Sequence, residues 1–251
     1  METDPWEFLQ AYTAARIARG RAGYSLPTRA LLDFQLDHAR ARDAVYSTLE
    51  TGRLLAEIDR IQPRPVLLQS QAPDRRTYLQ RPDQGRRLDA ESWLRLQTLG
   101  TSPADLSIVV ADGLSATAIN THVTPLLSQL VPELVAQGWT LAPICLVQQG
   151  RVAIADEVAY ALKTNVTLIL IGERPGLTSP DSLGAYLTYV DALTRPRSGL
   201  TDESRNCVSN IRPEGMPYDF ATQKLLYLLT EMKTRKLSGV QLKDEMGLLD
   251  G

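Results

Sequence analysis

Histidine and cysteine are nearly missing from this chain: His38, His122, Cys145 and Cys207 are all it carries in 251 residues. Two isolated cysteines exclude a disulfide framework and a thiolate metal cluster, and two histidines argue against a histidine-built metal centre. An excess of either charge is missing as well. Lys plus Arg number 27 against 29 Asp plus Glu, a formal −2, so no basic field argues for nucleic acid and an acidic ligand would need a local site. No apolar run approaches the ~20 residues of a membrane span. The opening METDPWEF has no apolar signal core, so a soluble protein of a reducing compartment is expected. The dinucleotide glycine fingerprint, the Walker loop, HExxH and CxxC are missing too, which removes the commonest phosphate and metal chemistries.

What is present is centred on Asn165 to Gly176, NVTLILIGERPG. Val166, Leu168, Ile169, Leu170 and Ile171 form an apolar run closed by Gly172, Pro175 and Gly176, the pattern of a strand covered on both faces. Glu173 and Arg174 follow, either as ligand-facing groups at the carboxyl end of that strand or as a surface turn pairing its own charges. Around it lies an alternation of elements. Strands are expected at Leu106–Ala111, Thr140–Val147 and Val166–Ile171, with helices from about Ser115 to Ala136 and from Val152 to Leu162. That alternation implies right-handed crossovers and a largely parallel sheet. Leu183–Tyr189 and Cys207–Ile211 are expected as edge strands, joined by VDALTRPRSGLTDES, and Tyr218–Lys236 as a final helix with a basic end. Residues after Lys243 are expected to fray.

The N-terminal part reads differently. Thr3 or Asp4 caps a helix opened by Pro5, with Trp6, Leu9, Thr13 and Ile17 near one face and Gly20 and Gly23 of GRAG ending it. Thr28 caps a second helix with a mixed face, RALLDFQLDHARARDAVY. There Asp37, His38, Arg40, Arg42 and Asp43 form either a salt-bridge strip or an Asp-His pair. A short helix at Leu54–Ile61 and short strands VLLQ and TYLQ (Thr77–Gln80) follow. The change of pattern places a boundary within 73 to 105. The expectation is an α/β chain, with residues 1–100 a smaller, mainly helical region with short strands and an interface role, and residues 101–251 a Rossmann-like, mostly parallel sheet flanked by helices.

Few residues offer catalysis. Ser115 stands where a strand meets a helix, as a nucleophile elbow requires, but the flanks Gly113-Leu114-Ser115-Ala116-Thr117 lack the second glycine, and an N-cap is the competing role. Asp112 either orients a ligand group or caps the same helix. Across the sheet rim, Gln149–Val152, Gly172–Gly176 and Arg205–Asn210 should converge. They bring amides, a carboxylate, a thiol and small residues without a matched proton-transfer pair, the makings of a surface that grips a large, amide-rich ligand.

The motifs GRAG with SLPT, DFQLDHARARDAV, DGLSATA, QGRVAIADEV, LIGERPGL, SPDSLGAYLTY, NCVSNIRPEG and KLSGVQLKD run in order from about Arg16 to Asp244. Together they resemble the small subunit of ethanolamine ammonia-lyase. The resemblance implies a subunit of an adenosylcobalamin-dependent lyase that converts ethanolamine to acetaldehyde and ammonia by radical chemistry. The large subunit would hold the substrate, and this chain would cover part of the cobalamin. Carried onto these positions, its cobalamin contacts are Val152, Glu173 and Cys207. In a closed interface the Glu173 carboxylate needs hydrogen-bond donors, which the ligand's carboxamides and Arg174 are expected to supply. No catalytic acid or base and no metal ligand is expected. D-x-H-x-x-G is missing, so the resemblance implies a cobalamin that keeps its own base on cobalt, with neither His38 nor His122 as ligand. The rivals are a serine hydrolase using Ser115 and a non-catalytic protein-binding scaffold. The chain starts almost at its first helix, without the extension that directs some family members into a microcompartment. The cytoplasm is therefore the expected location, with the microcompartment left open.

Overall fold

Six of the seven expected strands form, and they join in one sheet. In the computed structural model, which describes residues 4–13, 15–99, 103–190 and 200–246, these are β1 (Val66–Gln69), β2 (Leu106–Ala111), β3 (Cys145–Gln148), β4 (Val166–Gly172), β5 (Leu183–Tyr189) and β6 (Asn206–Ile211). Their order is β1-β3-β2-β4-β5-β6. The first four strands run parallel, and β5 and β6 add antiparallel pairings at one edge. β4 sits between β2 and β5, in register from Leu106 with Val166 to Ala111 with Ile171 on one side and from Tyr189 to Leu183 on the other. All seven of its residues are buried, as a run without polar alternation requires.

The helices are α1 (Thr28–Tyr46), α2 (Thr51–Ile61), α3 (Arg75–Gln80), α4 (Ala90–Thr98), α5 (Ala116–Ala136), α6 (Ile154–Leu162) and α7 (Tyr218–Arg235). Side-chain alternation along the strands divides the core in two. Ile108, Val110, Leu168 and Leu170, with Leu183, Ala185, Leu187 and Val208, pack under α2, α5 and α7. Val109, Ala111, Ile169 and Ile171 pack under α4 and α6 on the opposite face. β5 and β6 contribute no fully buried residue to that second cluster, and Cys207 and Ser209 stand exposed there. The sheet therefore has one complete cover and one that stops short.

Four expectations change. Thr77–Gln80 is the end of helix α3, because the Asp74 carboxylate caps it by accepting from the Thr77 N–H at 2.8 Å. Residues 90–98, which no periodicity marks, form α4 behind an Asp89 cap. The Pro5-led helix shrinks to a 3-10 turn, Glu7–Tyr12, since Trp6, Phe8 and Tyr12 are exposed and find nothing to pack on. Pro27 rather than Thr28 occupies the cap position of α1, whose Leu31, Leu32, Phe34 and Leu36 are exposed. On the outside of α1, Arg16 and Arg40 pair with Asp37, and His38 packs near the Phe34 ring instead of joining a carboxylate. β1, which precedes the pattern change at 73 to 105, hydrogen-bonds into the same sheet as the later strands. Most of the β5–β6 connection (191–199) and the end of the chain (247–251) lie outside the described residues.

Candidate functional site

β2, β3 and β4 end side by side. α5 follows β2 and α6 follows β3 onto opposite faces of the sheet, which leaves a crevice where the two paths diverge. A cavity of about 680 Å³ occupies it, lined among others by Tyr78, Arg151, Val152, Glu173, Asn210 and Arg212.

Its walls are set by close backbone contacts. Gly113, after β2, takes φ +57°, and a Cβ there would lie 2.3 Å from the carbonyl oxygen of Gly172 at the end of β4. That same carbonyl accepts from the Leu114 N–H at 2.9 Å. Asp112 neither caps α5 nor faces the cavity: its Oδ1 accepts from the Gly150 N–H at 3.2 Å and so ties β2 to the loop after β3. Burial pushes its carboxyl up to about 6, opposed by the backbone donors of Gln149 and Gly150 and by Arg75. Arg75 donates to the carbonyls of Val45 and Gly113 at 2.6 and 2.7 Å, and burial lowers its pKa from the usual arginine value. Its guanidinium lies 4.8 Å from the centre of the Tyr78 ring, and that of Arg151 lies 4.5 Å from the same ring. Burial lifts the Tyr78 phenol to about 12.

Glu173 stands on the opposite wall. Its N–H donates to Ser182 O at 3.0 Å, and its Oε2 accepts from the Asn210 N–H at 3.1 Å. The side chain lies on Gly184 of β5, where a Cβ would come within 3.0 Å of its Cγ and Oε1. Oε1 accepts no hydrogen bond among the described residues, and no ion pair joins Glu173 to Arg174, which is exposed and also lines the cavity. The paired surface turn is thus not what forms. Val152, half-buried at the start of α6, packs on the second core cluster. Cys207 is exposed directly across from Tyr186 in the β5–β6 pairing, its Sγ 3.1 Å from Ser209 Oγ. Tyr186 lines the cavity; burial, with Cys207 and Glu173 beside it, pushes its phenol to about 12.

Val152 and Glu173 therefore share one cavity, and Cys207 flanks it across Tyr186. Arg205, expected at the rim, sits buried at the start of β6 with its guanidinium bonded to Asp156 of α6 at 2.8 and 2.6 Å. Tyr78 and Arg212 are lining residues that the sequence reading passes over. The capping signal Asp74-x-x-Thr77 would have put Tyr78 on a helix.

The hydrolase reading fails on Ser115. Its hydroxyl is fully buried, accepts from the Ala118 N–H at 3.3 Å as the cap of α5, and donates to Pro180 O at 3.0 Å. Nor does a base stand beside it, since buried His122 is taken up by the Tyr218 hydroxyl at 2.6 Å and by Asp181 at 3.3 Å. Cys145 is a core residue whose thiol burial pushes up to about 12, far from a nucleophile's range.

A family profile described as ethanolamine ammonia-lyase light chain (EutC) matches residues 3–243. The chain belongs to the ethanolamine ammonia-lyase small-subunit family. Relatives described as ethanolamine ammonia-lyase small subunits come from Azotobacter vinelandii, 55% identical over 99% of this chain and 92% of theirs, and from Xanthomonas campestris, 54% identical over 96% and 88%. One from Pseudomonas fluorescens is 51% identical over 96% and 88%. In the cavity a carboxylate, guanidinium groups and phenols converge, without a nucleophile beside a base among the described residues. Among the described residues no group of three or more His, Cys, Asp or Glu is placed to hold a metal, and no helix is long and apolar enough to cross a membrane.

Proposed function

We propose that this chain forms one wall of an adenosylcobalamin site in an ethanolamine ammonia-lyase assembled with a large subunit, which holds the ethanolamine. The observation that carries the reading is Glu173, one carboxylate oxygen held by the Asn210 N–H and the other, without a partner among the described residues, at the cavity wall. A carboxylate enclosed by a second subunit loses several kcal/mol of hydration unless it is paired. Each hydrogen bond to it returns about 1.5 to 3 kcal/mol. The carboxamides that fringe a corrin ring are donors of the needed kind.

The residues fit such a ligand in other ways. The cavity is smaller than a corrinoid with its nucleotide loop, so a second surface is needed to enclose it, as expected of a subunit that supplies half of a clamp. Gly184 leaves room beneath Glu173, and Val152 offers apolar surface at the same cavity. Cys207, exposed next to Tyr186, reaches the ligand's margin. Bound there, adenosylcobalamin would supply the radical that starts deamination to acetaldehyde and ammonia. This chain's part is to bind it, orient it and keep water away.

Equilibrium dialysis of cobalamin against the reconstituted hetero-oligomer tests this reading. Glu173→Ala should weaken binding by roughly 10- to 100-fold, the worth of one or two charge-assisted hydrogen bonds. A dissociation constant equal to that of the unaltered complex would remove Glu173 from the site.

A further inference from the structure

The charges around the cavity are unevenly placed. At the Glu173 end, Arg212 is already matched: its Nη1 lies 3.6 Å from Asp181 and 4.0 Å from Glu214, and its Nε donates to Asn210 Oδ1 at 3.1 Å. With Glu173 and its exposed neighbour Arg174 included, that end carries three carboxylates (Glu173, Asp181, Glu214) against two guanidinium groups (Arg212, Arg174), an excess of carboxylate. At the other end Arg151 has no carboxylate within ion-pair distance among the described residues. Its Nη2 donates to Tyr78 O at 3.0 Å, and its Nε is buried without an acceptor. Arg75 stacks on the same ring and adds positive charge there. Asp112 acts on Arg75, whose charged form it favours, and its Oδ1 is engaged by Gly150; it forms no ion pair with Arg151 among the described residues.

Arg151 is also built in. Its N–H donates to Gly85 O at 2.7 Å, a Cβ at Gly85 would come within 3.0 Å of its Cγ, and its guanidinium lies over Tyr78. A planar guanidinium held against a ring presents a fixed fork suited to two oxygens of one anion, which a flexible ammonium does not.

We propose that Arg151 is the anion-binding residue of this cavity and takes the phosphodiester of the corrinoid's nucleotide loop. The proposal rests on the cobalamin reading above and adds to it the direction in which the ligand lies. The corrin's carboxamides are neutral and the macrocycle's own charge is balanced by cobalt, so the phosphodiester is the single negative charge on the ligand's periphery. The nucleotide loop therefore belongs at the Tyr78–Arg151 end and the ring's amides at Glu173.

The test uses the reconstituted hetero-oligomer and three probes: cobalamin, cobinamide phosphate, which keeps a phosphate but lacks the base, and cobinamide, which lacks both. Arg151→Gln should weaken cobalamin and cobinamide phosphate about 10- to 30-fold, as expected for a charge-assisted pair, while cobinamide changes by less than about twofold. Arg151→Lys, which keeps the charge but not the fork, should recover part of the loss; if the glutamine variant fails to assemble, the lysine variant shows the same selective pattern at smaller size. Equal weakening of all three probes would overturn the proposal, since Arg151 would then only support the cavity wall. Weakening of cobalamin alone would also overturn it, by placing the base rather than the phosphate on Arg151. Failure of the unaltered complex to bind any of the three would bring down the cobalamin reading itself.

Discussion

Over the face bearing Ile108, Val110, Leu168 and Leu170, the helices α2, α5 and α7 cover the sheet out to β6, and the strand residues there are sealed from water. Over the face bearing Val109, Ile169 and Tyr186, the cover of α4 and α6 ends at β4, and Cys207 and Ser209 of β6 are bare. Both faces are built from the same strands. Among the described residues the second face has one covering helix fewer, and the exposed strip of β6 adjoins the cavity with Glu173 and Val152. The larger buried core lies on the closed face, and the cavity proposed to take a ligand lies along the edge of the incomplete one.

Substitutions on the two faces should therefore separate folding from binding. The largest effect is expected on the closed side: Leu225→Ala, at a fully buried position of α7, should cost about 2 to 5 kcal/mol in denaturant unfolding of the chain. A loss below about 1 kcal/mol would mean that this face is not the stable half. Next comes Asp112, which joins the two sides at the strand ends. Folding raises its carboxyl from 3.8 to about 6, so its stabilising contribution is complete below about pH 4 and is lost as pH rises through 6. The change is of order 3 kcal/mol, and Asp112→Asn should flatten the decline between pH 4 and 7. Gly184→Ala, on the incomplete face, should cost under about 1 kcal/mol of stability, because the added methyl displaces only the movable Glu173 side chain. The same change should weaken cobalamin binding by about tenfold, and equal effects on both measurements would erase the distinction between the faces. The smallest change is expected from Cys207→Ser at the exposed strip, within about 0.5 kcal/mol in unfolding.

The strands were readable because burial on both faces leaves an unbroken apolar run, as in Val166–Ile171, or a run bounded by glycine and polar turns, as in Leu106–Ala111. Among the short elements, VLLQ was read correctly as β1, but α3 and the first helix were not. Thr77–Gln80 has the composition of a strand, and six residues are too few for periodicity to outvote it; the Asp74 cap and the burial of Tyr78 made it helical. The Pro5-led helix failed in the opposite way, with a suitable cap and a suitable face but nothing to bury that face against. Within the site, Glu173 was legible as a carboxylate at the end of a buried strand and Gln149–Val152 as a rim segment, while Val152 itself was singled out by resemblance. Tyr78, Arg151 and Arg212 were not nominated, because an arginine's role depends on which carboxylates reach it.

The order of residues by itself determined the α/β class, the parallel core strands and the family, since these follow from hydrophobic runs, turn residues and long motifs that are local in the chain. Only the tertiary structure decided that Ser115 is a sealed helix cap, that Asp112 ties two loops, and that Arg212 is neutralised where Arg151 is not. Each of those outcomes is a matter of burial and of the distance between charges far apart in sequence, and in a folded interior those two quantities set what an ionisable group can do.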